Sequence, residues 1–275
     1  MIRTLRWSLL GLSLVGLTGC NAAATAYRFA DWWIEYRIET WVDLDGTQEV
    51  LLQARVDDVL VWHQAAVMAR VVELVDELSD AALKGTLIEV FGQREELIDE
   101  LYYESVRPIA LAVGEVFTTL TPGQVDELEE GLAAQLVKAR EKLRDRARWG
   151  KKAKRLQGWI GDLTDEQIAI IEESTHFGDQ SYRFECRSTR QRELVTALRA
   201  SKPAESLGLI MGRWWAMRGC GDEADRARRA MRERWRERMA RLEKSLSPTQ
   251  RKTLSVEIRE LADDLRELVA DGIAP

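Results

Sequence analysis

The three cysteines and two histidines are the side chains of this 275-residue chain best suited to carry chemistry. Cys186 follows His176 by ten residues, and a nearby imidazole can lower the pKa of a thiol and make it a nucleophile. His63 stands beside Trp62 on an apolar stripe, which favours a packed or interface histidine over a general base. The chain contains no G-x-S-x-G, P-loop, G-x-G-x-x-G, H-E-x-x-H or C-x-x-C motif. The sequence therefore predicts a protein that is not an enzyme, with no catalytic residues and no cofactor.

Carboxylates are the second group that could do chemistry, because they recur at helical spacing: Asp57, Asp58, Glu73, Asp76 and Glu77. Carboxylate oxygens can hold metal ions, but a di-metal site in a helical bundle also uses a pair of E-x-x-H motifs. The chain lacks that pair. We therefore interpret these acids as a solvated helix face and predict no metal site.

The first nineteen residues have the pattern of an export signal. Arg3 and Arg6 form a charged start, and Leu9 to Leu17 form a short apolar stretch that ends in small residues. A helix needs about 20 apolar residues to cross the hydrocarbon core of a bilayer. The segment 1–19 is therefore predicted to be a signal peptide rather than a membrane anchor.

The end of this signal, Leu17-Thr18-Gly19-Cys20, resembles the lipobox of bacterial lipoprotein precursors. The resemblance implies cleavage between Gly19 and Cys20 and a diacylglycerol on Cys20, and two or more acyl chains anchor a protein stably. Asn21 follows the modified cysteine, which favours the outer membrane over the inner one. We expect a protein anchored to the membrane through Cys20 that faces the periplasm.

Export also bears on the two remaining cysteines, because disulfides persist in oxidising compartments. Cys186 and Cys220 form an even pair, and a bridge between them would stabilise the fold by about 4 kcal/mol in the chain-entropy model. Two buried free thiols, or a Cys186 activated by His176, are the alternatives. We expect the disulfide.

Charge argues against nucleic acid as a partner. Loss of residues 1–19 leaves 38 basic and 46 acidic residues, and an acidic chain does not attract a polyanion. Seven basic residues do cluster between Arg144 and Arg155. They are interpreted as a solvated helix end or as a contact for anionic lipid or acidic partners. Eight arginines between Asp222 and Lys244 indicate a charged amphipathic helix.

Apolar residues recur at three- and four-residue steps along nearly the whole chain after Gln48, and no stretch alternates like a strand. The pattern predicts one helix of about nine turns from Gln48 to Leu78. Further helices are predicted over 97–117, 125–143, 168–173, 193–198, 224–246 and 254–269. We expect an all-α fold of long antiparallel helices, in a bundle or in extended hairpins.

A short element recurs where four of these helices begin. An Asp, Thr or Ser can accept from the first amides of the helix, while a Gln three residues later reaches back to the N–H of the cap. These capping boxes are Asp45 with Gln48, Thr121 with Gln124, Thr164 with Gln167 and Ser247 with Gln250, each preceded by Leu.

The spacing of the boxes groups them into two pairs, 76 and 83 residues apart. This grouping predicts two tandem helical units, 44–160 and 161–275. They follow a lipidated tether with a short helix over 20–43.

The boxes of the L-T-x-x-Q form resemble the signature of the Spy and CpxP group of periplasmic helical proteins. Leu120-Thr121 with Gln124 and Leu163-Thr164 with Gln167 match it fully, whereas Asp45 and Ser247 depart from it. The mature chain also resembles a family of uncharacterised proteobacterial lipoproteins. That likeness is carried by Ala26-Tyr27-Arg28, Asp31-Trp32-Trp33, Val42-Asp43-Leu44-Asp45, Gln48 and Trp62-His63. It implies a helical envelope lipoprotein and assigns no activity.

Two hypotheses for function follow. The first is a chaperone-like or stress-linked protein that binds unfolded clients without ATP, and the second is a structural or adaptor lipoprotein with one dedicated protein partner. The adjacent pairs Trp32-Trp33 and Trp214-Trp215 fit either core packing or an exposed rim that contacts lipid or a partner. The sequence assigns no oligomeric state.

Overall fold

The computed structural model describes residue 25 and residues 27–144, 156–173 and 181–271. These residues contain helices and no strand, so the predicted all-α fold is confirmed. The predicted signal peptide, the predicted lipobox with Cys20, His176 and the basic residues after Arg144 lie outside the described residues. Eleven helices are α1 (Ala30–Glu39), α2 (Gly46–Ala66), α3 (Met68–Lys84), α4 (Leu87–Gln93), α5 (Glu95–Phe117), α6 (Pro122–Arg144), α7 (Asp165–Glu173), α8 (Ser181–Arg199), α9 (Ala204–Trp215), α10 (Asp222–Ser245) and α11 (Pro248–Asp271). Residues 156–160 are also helical.

The predicted nine-turn helix is wrong in one respect, because it is divided at Val67 into α2 and α3. The Val67 amide still donates to the carbonyl of His63, at 3.0 Å, but its backbone departs from ideal helix geometry at φ −114°. Val67 is buried with Leu74 and Leu101. Apolar residues keep their three- and four-residue spacing across Val67, so this spacing alone could not locate the division.

The largest apolar core lies among α1, α2, α5, α6, α8 and α9. Its buried members include Ile38, Leu52, Val113, Phe117, Leu128, Leu132, Leu194, Leu207 and Met211. Each aliphatic or aromatic side chain removed from water in this way contributes about 1.5–3 kcal/mol. The core therefore draws on both of the proposed tandem units.

Helices α5 and α9 approach each other closely at Gly114 and Gly208. A Cβ atom placed on Gly114 would lie 2.8 Å from the carbonyl oxygen of Ala204, and one on Gly208 would lie 2.6 Å from Leu111 Cδ2. Real Cβ atoms do not come so close, so only glycine lets these two backbones approach at this distance. The contact ties the first proposed unit to the second.

The C-terminal helix α11 packs along α3, far away in sequence. Ser79 Oγ donates to the carbonyl oxygen of Ser255, 2.8 Å away, and both serines are buried. Met68, Val72, Leu265 and Leu268 form a second apolar cluster along this contact. The proposed boundary near residue 160 consequently does not divide the fold into two separate cores.

Candidate functional site

All four capping boxes form in the structure, each with both of its hydrogen bonds. At the start of α2, the Asp45 carboxylate accepts from the amide of Gln48 at 3.0 Å, and Gln48 Oε1 accepts from the amide of Asp45 at 3.0 Å. The other three boxes repeat this arrangement. The cap amides of Thr121, Thr164 and Ser247 donate to the Oε1 atoms of Gln124, Gln167 and Gln250 at 2.9, 3.0 and 3.0 Å.

The boxes also meet in pairs, and the pairs are those that the sequence spacing grouped. Gln48 and Gln124, the first glutamine pair, exchange amide hydrogen bonds of 3.1 and 2.6 Å. Gln167 and Gln250, the second glutamine pair, exchange two of 2.9 Å. Sequence reasoning found the boxes but missed the contact between them, although the shared Gln was the signal for it.

Each glutamine makes one further bond that follows a common rule. Its Nε2 atom donates to the backbone carbonyl two residues before the cap of the partner box. These bonds run from Gln48 to Thr119, from Gln124 to Asp43, from Gln167 to Ser245 and from Gln250 to Asp162, at 2.7–3.1 Å. Every amide thus satisfies its own helix start and the chain entering its partner helix, which is a structural role.

Cys186 on α8 is bonded to Cys220 in the segment after α9, with 5.1 Å between their Cα atoms. Cys186 is buried. A disulfide-bonded sulfur is not a nucleophilic thiolate, so the geometry gives no support to an activated Cys186. His176, the suggested activating residue, lies outside the described part of the chain.

His63 is held between two helices by hydrogen bonds at both ring nitrogens. Its Nδ1 lies 3.0 Å from the Tyr27 hydroxyl and its Nε2 lies 2.9 Å from Ser105 Oγ. Because the Ser105 hydroxyl donates to the carbonyl of Leu101 at 2.7 Å, we assign the proton to Nε2. The single Tyr27 proton is then shared between His63 Nδ1 at 3.0 Å and the carbonyl oxygen of Leu60 at 3.2 Å. Burial lowers the pKa of His63 and raises the pKa of Tyr27 to about 12. This neutral, fully bonded imidazole is a packing element and is not placed to act as a base.

The acids singled out in the sequence do not converge. Asp76 pairs with Arg266, Glu77 pairs with Arg94 at 2.8 Å, and Asp58 pairs with Arg55 at 3.6 Å. Burial is the main cause that raises the pKa of Asp57. Within the described residues, no group of three or more His, Cys, Asp or Glu side chains could hold a metal ion.

Glu35 is a titratable residue that the sequence did not single out. It lies on α1, and burial raises its pKa to about 7, assisted by the charges of Asp31, Asp57, Glu39 and Glu49. Asp57 and Glu49 belong to α2, so the effect depends on how α1 packs. A one-dimensional pattern carries no signal for it.

A groove of about 670 Å³ along α8 and α9 is a candidate surface for a partner. Its apolar part includes Ala197, Ala200, Leu209 and Ile210, and its charged part includes Arg190, Arg192, Lys202, Arg213 and one acid, Glu193. Arg190 is fixed in place, since it pairs with Glu193 at 2.6 Å and donates to the carbonyl of Gly219. Arg213, Lys202 and Leu209 are exposed. The groove therefore combines an apolar floor with a cationic rim.

The two tryptophan pairs occupy different environments. Trp214 is buried and its ring packs against that of Trp41 at 5.5 Å, with Trp215 at the edge of the core. Trp32 and Trp33 are both exposed on α1. Core packing therefore explains the second pair, and the first pair forms an exposed rim.

These features describe an all-α protein in which paired glutamine caps join the starts of distant helices. None of the described helices combines the length and hydropathy of a membrane span. The model of DUF6279, a family of unknown function, matches residues 40–211, and the chain belongs to this family. This agrees with the predicted likeness to an uncharacterised family, while the Spy and CpxP likeness rests on the boxes alone. No curated protein and no solved structure matches the chain.

Proposed function

We propose that the protein is a lipid-anchored helical binding protein of the periplasm, which holds unfolded or membrane-protein clients without ATP. In this proposal the signal 1–19 directs export and the acylated Cys20 anchors the chain, most favourably in the outer membrane. Family membership is compatible with this role and assigns none.

The groove between α8 and α9 is the observation that carries the proposal. Unfolded chains expose apolar side chains, which Leu209 and Ile210 can cover on the groove floor. Lys202 and Arg213 on the rim are exposed, and such cations attract acidic segments of a client. The rim is positive although the whole chain is acidic, so the attraction is local to the groove.

The direct test uses the mature chain with Cys20→Ala, purified from the periplasm. We expect it to suppress aggregation of unfolded clients at a near-stoichiometric ratio, and Leu209→Asp to abolish much of the effect. Leu83→Asp is the matched control, because Leu83 is also an exposed leucine but lies on α3. Absence of suppression across several clients, or equal loss in the two variants, would contradict the proposal.

Crosslinking in cells separates this function from a dedicated adaptor role. A photo-reactive residue at position 209 of the full chain should capture many client proteins in low yield. Recovery of one abundant envelope protein instead would replace the chaperone-like function by that of an adaptor.

A further inference from the structure

The first described helix carries two apolar faces, and one of them has no partner within the described residues. Ile34 and Ile38 lie on the inner face and are buried in the main core. The outer face carries Phe29, Trp32, Trp33 and Tyr36, which are all exposed. We call these four residues the aromatic stripe. Their spacing of three, four and seven residues places them along one side of a helix.

The rings of the stripe are exposed and contact neighbouring side chains. Trp32 and Trp33 are 55% and 57% exposed, while the Trp32 ring stacks on that of Tyr36 at 5.5 Å. The Arg37 guanidinium lies 6.0 Å from the Trp33 ring and 5.7 Å from the Trp41 ring. Isolated exposed apolar residues are ordinary, but a contiguous patch of large aromatics marks an interaction surface.

Composition and position identify the partner. Trp and Tyr favour the interface between membrane and water, where the ring is partly desolvated and its polar tip remains hydrated. The stripe begins nine residues after Cys20. Even a fully extended connection of that length spans only about 30 Å. An acylated Cys20 would therefore keep the stripe within reach of the headgroups.

Positive charge near Arg37 also favours a membrane as the partner. Burial lowers the pKa of Arg187, and the charges of Arg183 and Arg37 lower it further. Arg140 lies over the ring of Phe184, 5.4 Å from its centroid. These cations belong to α6, α8 and α1 and suit lipid phosphates. Negative charge lies on the same helix: burial raises the pKa of Glu35, and the charges of Asp31 and Glu39 on α1 and of Asp57 and Glu49 on α2 raise it further.

We infer that the aromatic stripe lies in the headgroup region of the bilayer to which the chain is anchored, so that α1 orients the protein on the membrane. The inference rests on the proposed lipid anchor at Cys20 for its geometry. It adds a second, non-covalent contact that fixes which side of the molecule faces the lipid. The groove between α8 and α9 is a separate surface.

The first test uses the lipidated full chain reconstituted in vesicles of brominated phosphatidylcholine, because bromine quenches tryptophans that enter the bilayer interface. We expect quenching in the wild-type protein and loss of most of it in Trp32→Phe/Trp33→Phe. Trp159→Phe is the control, since Trp159 is also exposed but lies outside α1. Equal quenching in the double variant and the wild type would overturn the inference.

A second test removes the lipid. The mature chain with Cys20→Ala should bind phosphatidylcholine vesicles, and adding Trp32→Ser/Trp33→Ser should weaken binding about tenfold, since binding strength scales with buried apolar area. Trp159→Ser should leave it unchanged. Unchanged melting temperatures would show that all variants fold, as expected for exposed side chains.

The outcomes separate the stripe from the anchor. Mass spectrometry that finds no diacylglycerol on Cys20 refutes the anchor, yet stripe-dependent binding of the Cys20→Ala chain would still support the inference. A confirmed lipid with no stripe-dependent quenching refutes the inference alone. Dimerisation of the Cys20→Ala chain that disappears in Trp32→Ser/Trp33→Ser would assign the stripe to a second copy and overturn the membrane contact.

Discussion

The first and second glutamine pairs make the same set of hydrogen bonds in different surroundings. In the first pair, Gln48 is buried while Gln124 remains partly open to water. In the second pair, Gln167 is fully buried and Gln250 is 9% exposed. Water reaches Gln124 more readily than either member of the second pair and can replace a lost hydrogen bond there, whereas an unmade bond at the fully buried Gln167 costs much of the desolvation of the group. A repeated sequence element therefore need not contribute equally to stability wherever it occurs.

Removal of the disulfide should have the largest effect on stability. It also tests whether the difference between the two glutamine pairs depends on the bridge. Replacing Cys186 and Cys220 by Ser should lower the free energy of unfolding by about 4 kcal/mol. Urea unfolding measures this loss. Since neither cysteine hydrogen-bonds to either glutamine pair, the difference between the pairs should persist without the bridge. Its disappearance would mean that the bridge itself holds the second pair together. A mobility shift on reduction that is lost in Cys186→Ser checks that the bridge forms.

Gln167→Ala tests the contribution of the second pair to stability most directly. This change removes the partner of the Thr164 amide, of the half-buried carbonyl of Ser245 and of part of Gln250, and of these residues only Gln250 is buried. We expect a loss of about 3 kcal/mol in the free energy of unfolding, measured by urea titration. Gln167→Met, which nearly conserves volume, should lose a similar amount if the hydrogen bonds rather than packing are responsible.

Gln124→Ala measures the contribution of the first pair in the same way. Thr121 and Asp43, which lose a partner, are exposed to water, and the buried Gln48 keeps its bonds to Asp45 and Thr119, so the expected loss is only about 1 kcal/mol. Gln53→Ala, an exposed glutamine on α2, should have almost no effect in the same titration. Losses of equal size for Gln124→Ala and Gln167→Ala would refute the role given to burial.

The last expected effect, no larger than that of Gln124→Ala, is a pH dependence that centres on Glu35 of α1. The pKa of Glu35 in the folded protein, about 7, lies above its ordinary value of 4.5. The folded chain therefore holds this proton more tightly. Its stabilising contribution is complete below pH 4.5 and is lost as the pH rises toward 7.

Glu35→Gln should accordingly raise stability at pH 8 by about 1 kcal/mol, after allowance for partial exposure. It should have little effect at pH 4.5. Melting temperatures across this range provide the measurement, and a gain that is the same at both pH values would contradict the assignment. The neutral amides of the second pair should show no such dependence.

Several helix starts could be predicted from the sequence, because a short capping motif marks each of them. Asp45, Thr121, Thr164 and Ser247 cap the helices that the sequence assigned to them. The division at Val67 escaped prediction, since the apolar period runs through it. The short helix α4 and the glycine-bearing α9 also lacked a long enough pattern.

The candidate groove could not be predicted for a different reason. Arg190, Lys202 and Arg213 lie on two helices and the turn between them, so only tertiary packing brings them to one rim. The raised pKa of Glu35 has the same origin, because two of its causes lie on α2. Local chemistry predicts where helices begin, whereas sites built between helices need the packing itself.

The contact between α3 and α11 can form only after α11 has been synthesised. Ser79 meets Ser255 across 176 residues, and at roughly 5–20 residues per second the ribosome needs on the order of ten seconds or more to make that stretch. Until α11 emerges, Met68 and Val72 have no Leu265 or Leu268 to cover them. The apolar side of α3 is thus exposed to water while the chain is being made, and a chain truncated before α11 would expose it permanently.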